Sequence, residues 1–150
     1  MAVTVEDASL KFLDRLYEIE KECFIEEAFS KKQIAQLLTD YNSISLIAKE
    51  KGEVAGFIVG VVYPDRKAVN GHILTIDVSS KHRRKGIGRT LLQEMENIFS
   101  QKGVQASLLE VREDNAAAIS LYRKLGYKEM GRLENYYGNA HGIYMKKVLA

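Results

Sequence analysis

The sequence predicts an α/β protein built as a single domain, with a mixed sheet that carries helices on both faces. The first observation is that a strand, a helix, a strand and a helix follow one another between residues 72 and 125. The second is that hairpin-like pairs of apolar segments flank this central block. The third is that no repeat and no linker rich in Pro, Gly or Ser interrupts the chain, so we treat residues 1–150 as one domain.

The N-terminal part of the chain predicts two helices followed by a hairpin. Residues 8–22 carry apolar side chains at helical spacing, namely Leu10, Leu13, Leu16, Tyr17 and Ile19. After a break over residues 23–29, Ser30 is a suitable N-cap for a second helix. Residues 45–49 and 54–63 read as strands, and the turn sequence EKGE joins them. Pro64-Asp65 predicts the next turn.

The C-terminal part alternates strands and helices. We predict strands at 72–78, 106–111, 127–133 and 143–148, and helices at 86–101 and 115–125. The helix at 86–101 is the clearest, because one apolar stripe runs along it: Ile87, Leu91, Met95, Ile98 and Phe99. Asp114 or Asn115 caps the start of the last helix, and Gly126 ends it.

Composition restricts the class of protein. Hydrophobic residues make up 46% of the chain and charged residues 28%, which is typical of a globular domain. A formal net charge of +2 gives no global case for nucleic-acid binding. The single cysteine, Cys23, excludes an internal disulfide and a cysteine-based zinc site, and we expect no metal. The chain starts without a charged-then-apolar leader and has no membrane-spanning apolar run, so we expect a cytoplasmic protein with no membrane role.

The motif with the clearest chemistry is the segment RRKGIGRT, residues 83–90, between a predicted strand and a predicted helix. Two glycines at a helix start let the backbone approach a ligand, and the free N–H groups and the helix dipole attract phosphate. The spacing differs from that of a P-loop, and Leu91 stands where a dinucleotide fingerprint needs a small residue. The segment therefore predicts a pyrophosphate site. The alternatives are a solvated basic face and a nucleic-acid patch, and the latter lacks an aromatic platform here.

The same segment resembles the acetyl-CoA signature of the GCN5-related N-acetyltransferases. Arg83, Gly86 and Gly88 match its core, Q/R-x-x-G-x-G/A. A second block is similar to the N-terminal protein acetyltransferases, both the bacterial ribosomal-protein alanine acetyltransferases and their archaeal counterparts. It consists of LEVR at 109–112, Asn115, AI at 118–119, LY at 121–122 and LGY at 125–127. The resemblance covers nearly the whole chain. It implies a twisted, mostly antiparallel mixed sheet of about seven strands, four helices on both faces and a splayed central strand pair.

The resemblance implies where acetyl-CoA binds. The backbone of Ile76, Asp77 and Val78 matches the wall for the pantetheine arm, which Asn115 and Tyr122 also contact. Relatives usually have a small or apolar residue at Asp77, so this position departs from the family pattern. The pyrophosphate falls on Arg83, Arg84, Lys85, Gly86, Ile87, Gly88, Arg89 and Thr90.

The resemblance also implies catalytic and substrate-binding residues. Glu110 matches a proposed general base and Tyr122 a general acid, and His72 lies where some relatives carry a catalytic Tyr. Tyr137 matches a tyrosine that contacts substrate. The break that shapes the peptide pocket contributes Phe24, Glu26 and Phe29.

The chemistry of acetyl transfer favours an N-terminal amine as acceptor. An α-amine has a pKa of about 7.7–8.0, and deprotonating a lysine amine costs about 3–4 kcal/mol more. We therefore expect an enzyme that moves the acetyl group of acetyl-CoA to protein or peptide N-termini, with a ribosomal protein among the candidates. We expect it to work as a monomer or weak homodimer.

Other interpretations of the sequence stay open. Glu20, Glu22, Glu26 and Glu27 would suit a small amine or polyamine, and a non-catalytic module that binds CoA or nucleic acid is a third possibility. An alternating strand often exposes a glutamate such as Glu110, a tyrosine such as Tyr122 often only packs, and Cys23 is a small apolar filler rather than a nucleophile.

Overall fold

Strands and helices follow the apolar patterns of the sequence. The computed structural model describes residues 3–24, 26–64 and 68–149. The strands are β1 (Val3–Asp7), β2 (Ser43–Glu50), β3 (Glu53–Pro64), β4 (Val69–Val78), β5 (Ala106–Arg112), β6 (Lys128–Leu133) and β7 (Gly142–Val148). The helices are α1 (Leu13–Cys23), α2 (Lys31–Thr39), α3 (Ile87–Gln101) and α4 (Ala116–Lys124). Short 3-10 turns at Leu10–Phe12 and Ser80–His82 precede α1 and α3.

The strands form one sheet whose centre is splayed. Within the described residues it has seven strands in the order β1-β2-β3-β4-β5-β7-β6. All neighbouring strands are antiparallel except β4 and β5, which run parallel. These two pair only from Asn70 to His72, opposite Ala106 to Leu108, in the part of the chain that the structure describes. The predicted mixed, mostly antiparallel sheet with a splayed central pair is therefore confirmed.

Helices cover both faces of the sheet, and each face has its own apolar core. On one face lie α3 and α4, and Leu91, Met95 and Phe99 of α3 are fully buried there. On the other face lie α1 and α2, where Leu16 and Ile34 pack in one cluster with strand residues of the sheet. Burying one such side chain stabilises the fold by about 1.5–3 kcal/mol, so both faces anchor the strands that flank the cleft.

Local signals set the helix starts near the cleft. Ser30 caps α2 in a capping box, in which its hydroxyl accepts the Gln33 amide at 3.1 Å and Gln33 accepts the Ser30 amide at 2.8 Å. Asn115 caps α4 by accepting the amide of Ala118 at 3.1 Å. Gly86, predicted as the first residue of α3, is instead its N-cap, with a φ of 77° that favours glycine.

The first strand is absent from the sequence prediction. β1 has only five residues, and its inward side chains, Val3 and Val5, are only partly buried. Among the described strands it lies at the edge of the sheet and pairs with β2 alone. Two valines over so short a segment give a weak alternation signal, so the pairing rather than the pattern defines this strand.

Several boundaries also differ from the predicted ones. β2 and β4 begin earlier than predicted, at Ser43 and Val69, and α1 begins later, at Leu13. Asp65, part of a predicted turn, lies outside the described residues, so that turn stays a prediction. Among the residues described, no helix combines the length and apolar content needed to cross a bilayer.

Candidate active site

The diverging central strands leave a cleft in the middle of the sheet. Beyond their last pair, His72 with Leu108, β4 continues to Val78 and β5 to Arg112. The cavity between them has a volume of about 280 Å³. Its walls come from these strand ends together with residues of α1, α4 and the loop between β6 and β7. Backbone groups at the strand ends are thus available to a ligand instead of a neighbouring strand.

A β-bulge in β4 decides which side chains turn toward α1. The register between β3 and β4 shifts at Leu74, which has no partner of its own. Such a bulge interrupts the alternation of a strand. Ile73 therefore packs in the core beneath α3, whereas Thr75 turns to α1 and donates to Glu20. Asp77, two residues further on, is directed to the same side as Thr75.

Glu110 lies in the cleft, with His72 against its carboxylate. The Nε2 atom of His72 is 2.8 Å from Oε1 and 3.0 Å from Oε2 of Glu110. The hydroxyl of Tyr136 donates to Oε1 at 3.5 Å. The Glu110 side chain is 16% exposed, which excludes the alternative of an ordinary solvated strand residue. It is held in a fixed orientation and lines the cavity.

His72 acts on the cavity through Glu110. It is not among the described residues that line the cavity, and its contact is with the carboxylate. The geometry therefore gives it the role of orienting Glu110, and its predicted direct role in catalysis stays a prediction.

Tyr122 lines the same cavity from α4. Its ring packs edge-on against Tyr127, with 6.0 Å between the ring centroids. Burial raises the pKa of Tyr122 well above its ordinary value, and Asp77 and Tyr137, once ionised at alkaline pH, raise it further. A phenol that keeps its proton near neutral pH can donate it to a base formed beside it. Packing and a chemical role are therefore compatible at this residue.

The loop before α3 presents free backbone donors at a bend that needs glycine. A Cβ added to Gly86 would meet nothing within 4 Å, so the surface there is open. The amides of Ile87, Gly88 and Arg89 begin α3, and none has an acceptor among the described residues. Thr90 differs, because its hydroxyl donates to the carbonyl of Gly86 at 2.9 Å. Open space, free amides and the positive end of the helix dipole together fit a pyrophosphate group.

The basic side chains of this loop divide into two pairs. Arg83 donates from Nε to a main-chain carbonyl of β4 at 3.1 Å, and Lys85 pairs with Glu50 at 2.8 Å. Arg84 and Arg89 are exposed and form no ion pair within the described part of the chain. Arg84 and Arg89 are therefore the side chains that are unengaged and available to a phosphate.

A buried charge cluster fixes the same loop to the hairpin between β2 and β3. His82 Nδ1 lies 2.7 Å from Oε1 of Glu50, and both side chains are buried. Hydrogen bonds from Lys85 and His82 lower the pKa of Glu50. Sequence reasoning missed this cluster, because Glu50 lies 32 residues from His82 and 35 from Lys85 and no motif joins them.

The predicted contacts for the pantetheine arm differ in accessibility. Ile76 and Asn115 line the cavity. The side-chain oxygen of Asn115 already caps α4, which leaves its amide nitrogen for a ligand. Asp77 and Val78 are not among the described lining residues, and the Asp77 side chain is buried toward α1.

Aromatic residues predicted for the peptide pocket form one wall of the cavity. Phe24, Phe29 and Tyr137 line it, with Tyr136 beside them. Glu26, predicted with them, is directed elsewhere and accepts a hydrogen bond from Asn139 at 2.9 Å. This wall is apolar, as a site that covers a peptide end would require.

The acidic residues that suggested a polyamine site do not form a free cluster. Each of them has a partner from another part of the chain. Glu20 accepts from Thr75, Glu22 from the amide of Ser80, Glu26 from Asn139, and Glu27 pairs with Arg112. Four engaged carboxylates are less suited to a polycation than the sequence suggested.

Cys23 lies in the cavity wall without the features of a nucleophile. Burial raises the pKa of its thiol to about 11, and Asp77, once ionised, adds to this effect. The thiolate is the reactive form, so this residue is inert at neutral pH.

Comparison with known proteins assigns the family. The model of the Acetyltransferase (GNAT) family matches residues 13–127, and the chain belongs to this family. An N-alpha-acetyltransferase from Sulfurisphaera tokodaii is 30% identical over 94% of this chain and 89% of its own length. The crystal structure of the ribosomal-protein-S18-alanine N-acetyltransferase from Escherichia coli is 26% identical, with a TM-score of 0.87, and covers 99% of this chain and 95% of that one.

A more distant structure shares the fold and contains the coenzyme. NAA60 from Arabidopsis thaliana in complex with acetyl-CoA has a TM-score of 0.86 at 19% identity, over 98% of both chains. Membership of the family makes this chain an acetyltransferase. The free amides at the start of α3 fit the phosphates of such a coenzyme.

Proposed function

We propose that this chain is an N-alpha-acetyltransferase that moves the acetyl group of acetyl-CoA directly to the N-terminal amine of proteins. The observation that carries the proposal is that Glu110 and Tyr122 line one cavity. The phosphate site adjoins it, because a Cβ added to Gly88 at the start of α3 would meet Val78 of β4 at 3.6 Å and Leu121 of α4 at 4.0 Å. The start of α3 therefore lies against β4 and α4, two of the elements that line the cavity.

The residues of the cavity have complementary tasks in this reaction. Glu110, oriented by His72, accepts the proton that the attacking amine loses, either directly or through one water. A free amide of β4 near Val78 stabilises the oxyanion as the tetrahedral centre forms. Tyr122 donates its proton to the departing thiolate, and exchange with solvent then returns a proton to Tyr122 and removes one from Glu110 before the next turnover. Acetyl-CoA supplies the activated acyl group.

An N-terminal amine suits this cavity better than a lysine side chain. A carboxylate such as Glu110 is a weak base, and the lower pKa of an α-amine reduces the proton-transfer cost by about 3–4 kcal/mol. The aromatic wall of Phe24, Phe29 and Tyr137 suits the first residues of a peptide. Relatives named N-alpha-acetyltransferase and ribosomal-protein-S18-alanine N-acetyltransferase support this choice. We place the activity in the cytoplasm and include a ribosomal protein among the substrates.

A peptide acetylation assay tests the proposal. The protein is incubated with acetyl-CoA and a library of peptides that vary in their first two residues, and mass spectrometry locates the acetyl group. We expect acetylation of α-amines and none of a peptide whose N-terminus is blocked but which contains lysine. Spermidine serves as the small-amine competitor. Acetylation of lysine or spermidine alone would contradict the proposal.

Two substitutions test the assigned chemistry. Glu110→Gln and Tyr122→Phe each remove one proton-transfer group and should lower kcat by about 10²–10⁴-fold. Glu113→Gln and Tyr41→Phe make the same chemical changes at exposed positions and should leave kcat unchanged. If Glu110→Gln and Tyr122→Phe leave kcat unchanged as the two controls do, the roles assigned to Glu110 and Tyr122 are wrong, although the family assignment still holds.

A further inference from the structure

Two buried carboxyl groups meet behind the cavity through a single hydroxyl. Thr75 Oγ1 lies 2.6 Å from Oδ1 of Asp77 and 3.0 Å from Oε1 of Glu20. Glu20 and Asp77 are each only 1% exposed, and Thr75 is 6% exposed. Glu20 belongs to α1 and Asp77 to the bulged strand β4, so the contact joins the two elements.

The hydrogen-bond pattern requires a proton on one of the two carboxyl groups. A hydroxyl has one proton and donates one hydrogen bond, so Thr75 serves only one of its two acidic neighbours as a donor. The other contact is a hydrogen bond only when the carboxyl group itself donates to the hydroxyl oxygen. Two ionised carboxylates would moreover repel one another at this distance, with little water to screen them.

The partners of the two groups indicate where the proton resides. Glu20 accepts a second hydrogen bond, from the amide of Phe29 at 2.9 Å, so each of its two oxygens accepts from a donor. The second oxygen of Asp77, Oδ2, is buried and has no partner among the described residues. Burial, together with the hydrogen bond and charge of Glu20, raises the pKa of Asp77 well above its ordinary value. Asp77 is therefore the neutral acid, which donates to Thr75, and Thr75 donates to Glu20.

This chain of hydrogen bonds ends on the wall of the cavity. The carboxylate of Glu20 binds the amide of Phe29, and its main-chain carbonyl binds the amide of Phe24 at 2.9 Å. Both aromatic residues line the cavity. The capping box at Ser30 then fixes the chain directly after Phe29. Glu20 thus holds both ends of the segment that faces the substrate.

We propose that Asp77 is a positioning residue which works as a neutral acid: through Thr75 it shares one proton with Glu20 and so holds the aromatic wall of the peptide pocket in place. The proposal rests on the proposed function, because it assigns that wall to the peptide. Loss of the shared proton at alkaline pH places a second negative charge beside Glu20 and loosens the wall, so the enzyme binds peptide less well there.

The other titratable groups around Asp77 do not offset the negative charge that it would have without this proton. Cys23 of α1 is a neutral thiol, and Tyr122 of α4 a neutral phenol, because the pKa of each is raised. Arg83, from the loop before α3, lowers the pKa of Asp77, but by less than burial raises it. Its guanidinium contacts the sulfur of Cys23 at 3.5 Å, without a hydrogen bond to the carboxyl group.

Two matched amide substitutions test the proposal. Asn at position 77 keeps the shape of the neutral acid and a donor toward Thr75, so Asp77→Asn should raise the peptide KM far less than Glu20→Gln does near pH 7. Gln at position 20 accepts only one of the two donors, so Glu20→Gln should raise the peptide KM about tenfold with kcat and the KM for acetyl-CoA nearly unchanged. Glu18→Gln, on the exposed side of α1, is the control.

The pH dependence provides a second readout. The ratio of the wild-type peptide KM to that of Asp77→Asn, measured at each pH, cancels the titration of the substrate amine. This ratio should rise toward alkaline pH, since only the wild type loses the shared proton. Equal damage from both amide substitutions, damage from Asp77→Asn alone, or a ratio that stays flat would each overturn the proposal.

Stability measurements separate this proposal from the proposed function. Because the pKa of Asp77 is raised in the folded state, the folded protein retains a proton that the unfolded chain releases above its ordinary pKa. The wild type should therefore lose stability relative to Asp77→Asn as the pH rises from about 4 toward the folded pKa. Urea unfolding measures this without any substrate. A wild type that acetylates no peptide would contradict the proposed function, whereas equal pH slopes for the two proteins would contradict the shared proton.

Discussion

Gly71 lies where β4 and β5 still pair, just before the two strands diverge to form the cleft. Replacing it with alanine should destabilise the protein through one contact, with the ring of Phe99. The residue precedes His72, within the three positions at which β4 and β5 still pair. A Cβ there would lie 2.5 Å from Cε2 of Phe99 and 2.7 Å from two further ring atoms. Phe99 is fully buried, and Gly60 already approaches the same ring, so the ring has little space to move.

The size of the effect follows from these distances. Carbon atoms in contact are about 3.5–4.0 Å apart, so the ring must shift by about 1 Å. Overpacking of this kind costs about 1–3 kcal/mol, and the lower chain entropy of unfolded alanine offsets about 0.4–1 kcal/mol. The midpoints of these two ranges differ by about 1.3 kcal/mol, so Gly71→Ala should lower the free energy of unfolding by about that amount and Tm by about 3–5 °C.

Urea and thermal unfolding of matched variants measure this prediction. Gly131→Ala in β6 is the control, because a Cβ there meets nothing within 4 Å and should have little effect. Phe99→Leu removes the ring, so the added cost of Gly71→Ala should largely vanish in that background. A cost that persists with Leu at position 99, or a Gly71→Ala protein as stable as wild type, would refute the assignment to the Phe99 contact.

Two further substitutions test the core and the coenzyme site. Tyr127→Phe removes a hydroxyl that contacts buried Glu96 at 2.9 Å and Ser107 at 2.8 Å. It should lower the free energy of unfolding, measured in urea, by about 1–3 kcal/mol. The control Tyr41→Phe, at an exposed position, should have no effect. An unchanged midpoint for Tyr127→Phe would contradict this. Gly86→Ala and Gly103→Ala both place alanine at a positive φ in open space and should each cost about 1–2 kcal/mol, but only the former should weaken coenzyme A binding in calorimetry. Equal affinity of the two variants for coenzyme A would place the phosphates elsewhere.

The sequence predicts the parts of this protein that local patterns encode. The apolar stripe of α3, the cap at Asn115 and the glycines at 86 and 88 each act within a few residues, and the structure has α3, α4 and the loop where these patterns place them. The short edge strand β1 escaped prediction because its partner, rather than its own pattern, defines it.

Contacts that depend on sheet register could not be predicted in the same way. His72 meets Glu110 because β4 and β5 still pair at that point, although 38 residues separate them. Thr75 meets Glu20 only because the bulge at Leu74 turns it toward α1. One extra residue in a strand changes the face of every following side chain, and nothing in the sequence marks where that residue lies.

The sheet register gives the two glutamates that line the cavity, Glu110 and Glu20, different roles, and loss of activity on substitution does not by itself distinguish these roles. Glu110 is 16% exposed and faces the cavity beside His72, so it is accessible to an amine. Glu20 also borders the cavity but is only 1% exposed, and both its oxygens are already bound. Loss of activity after changing either residue would look alike in a single-point assay. Removing a base should lower kcat, whereas loosening a pocket wall should raise the peptide KM, so the kinetic parameter that changes identifies the role of each carboxylate.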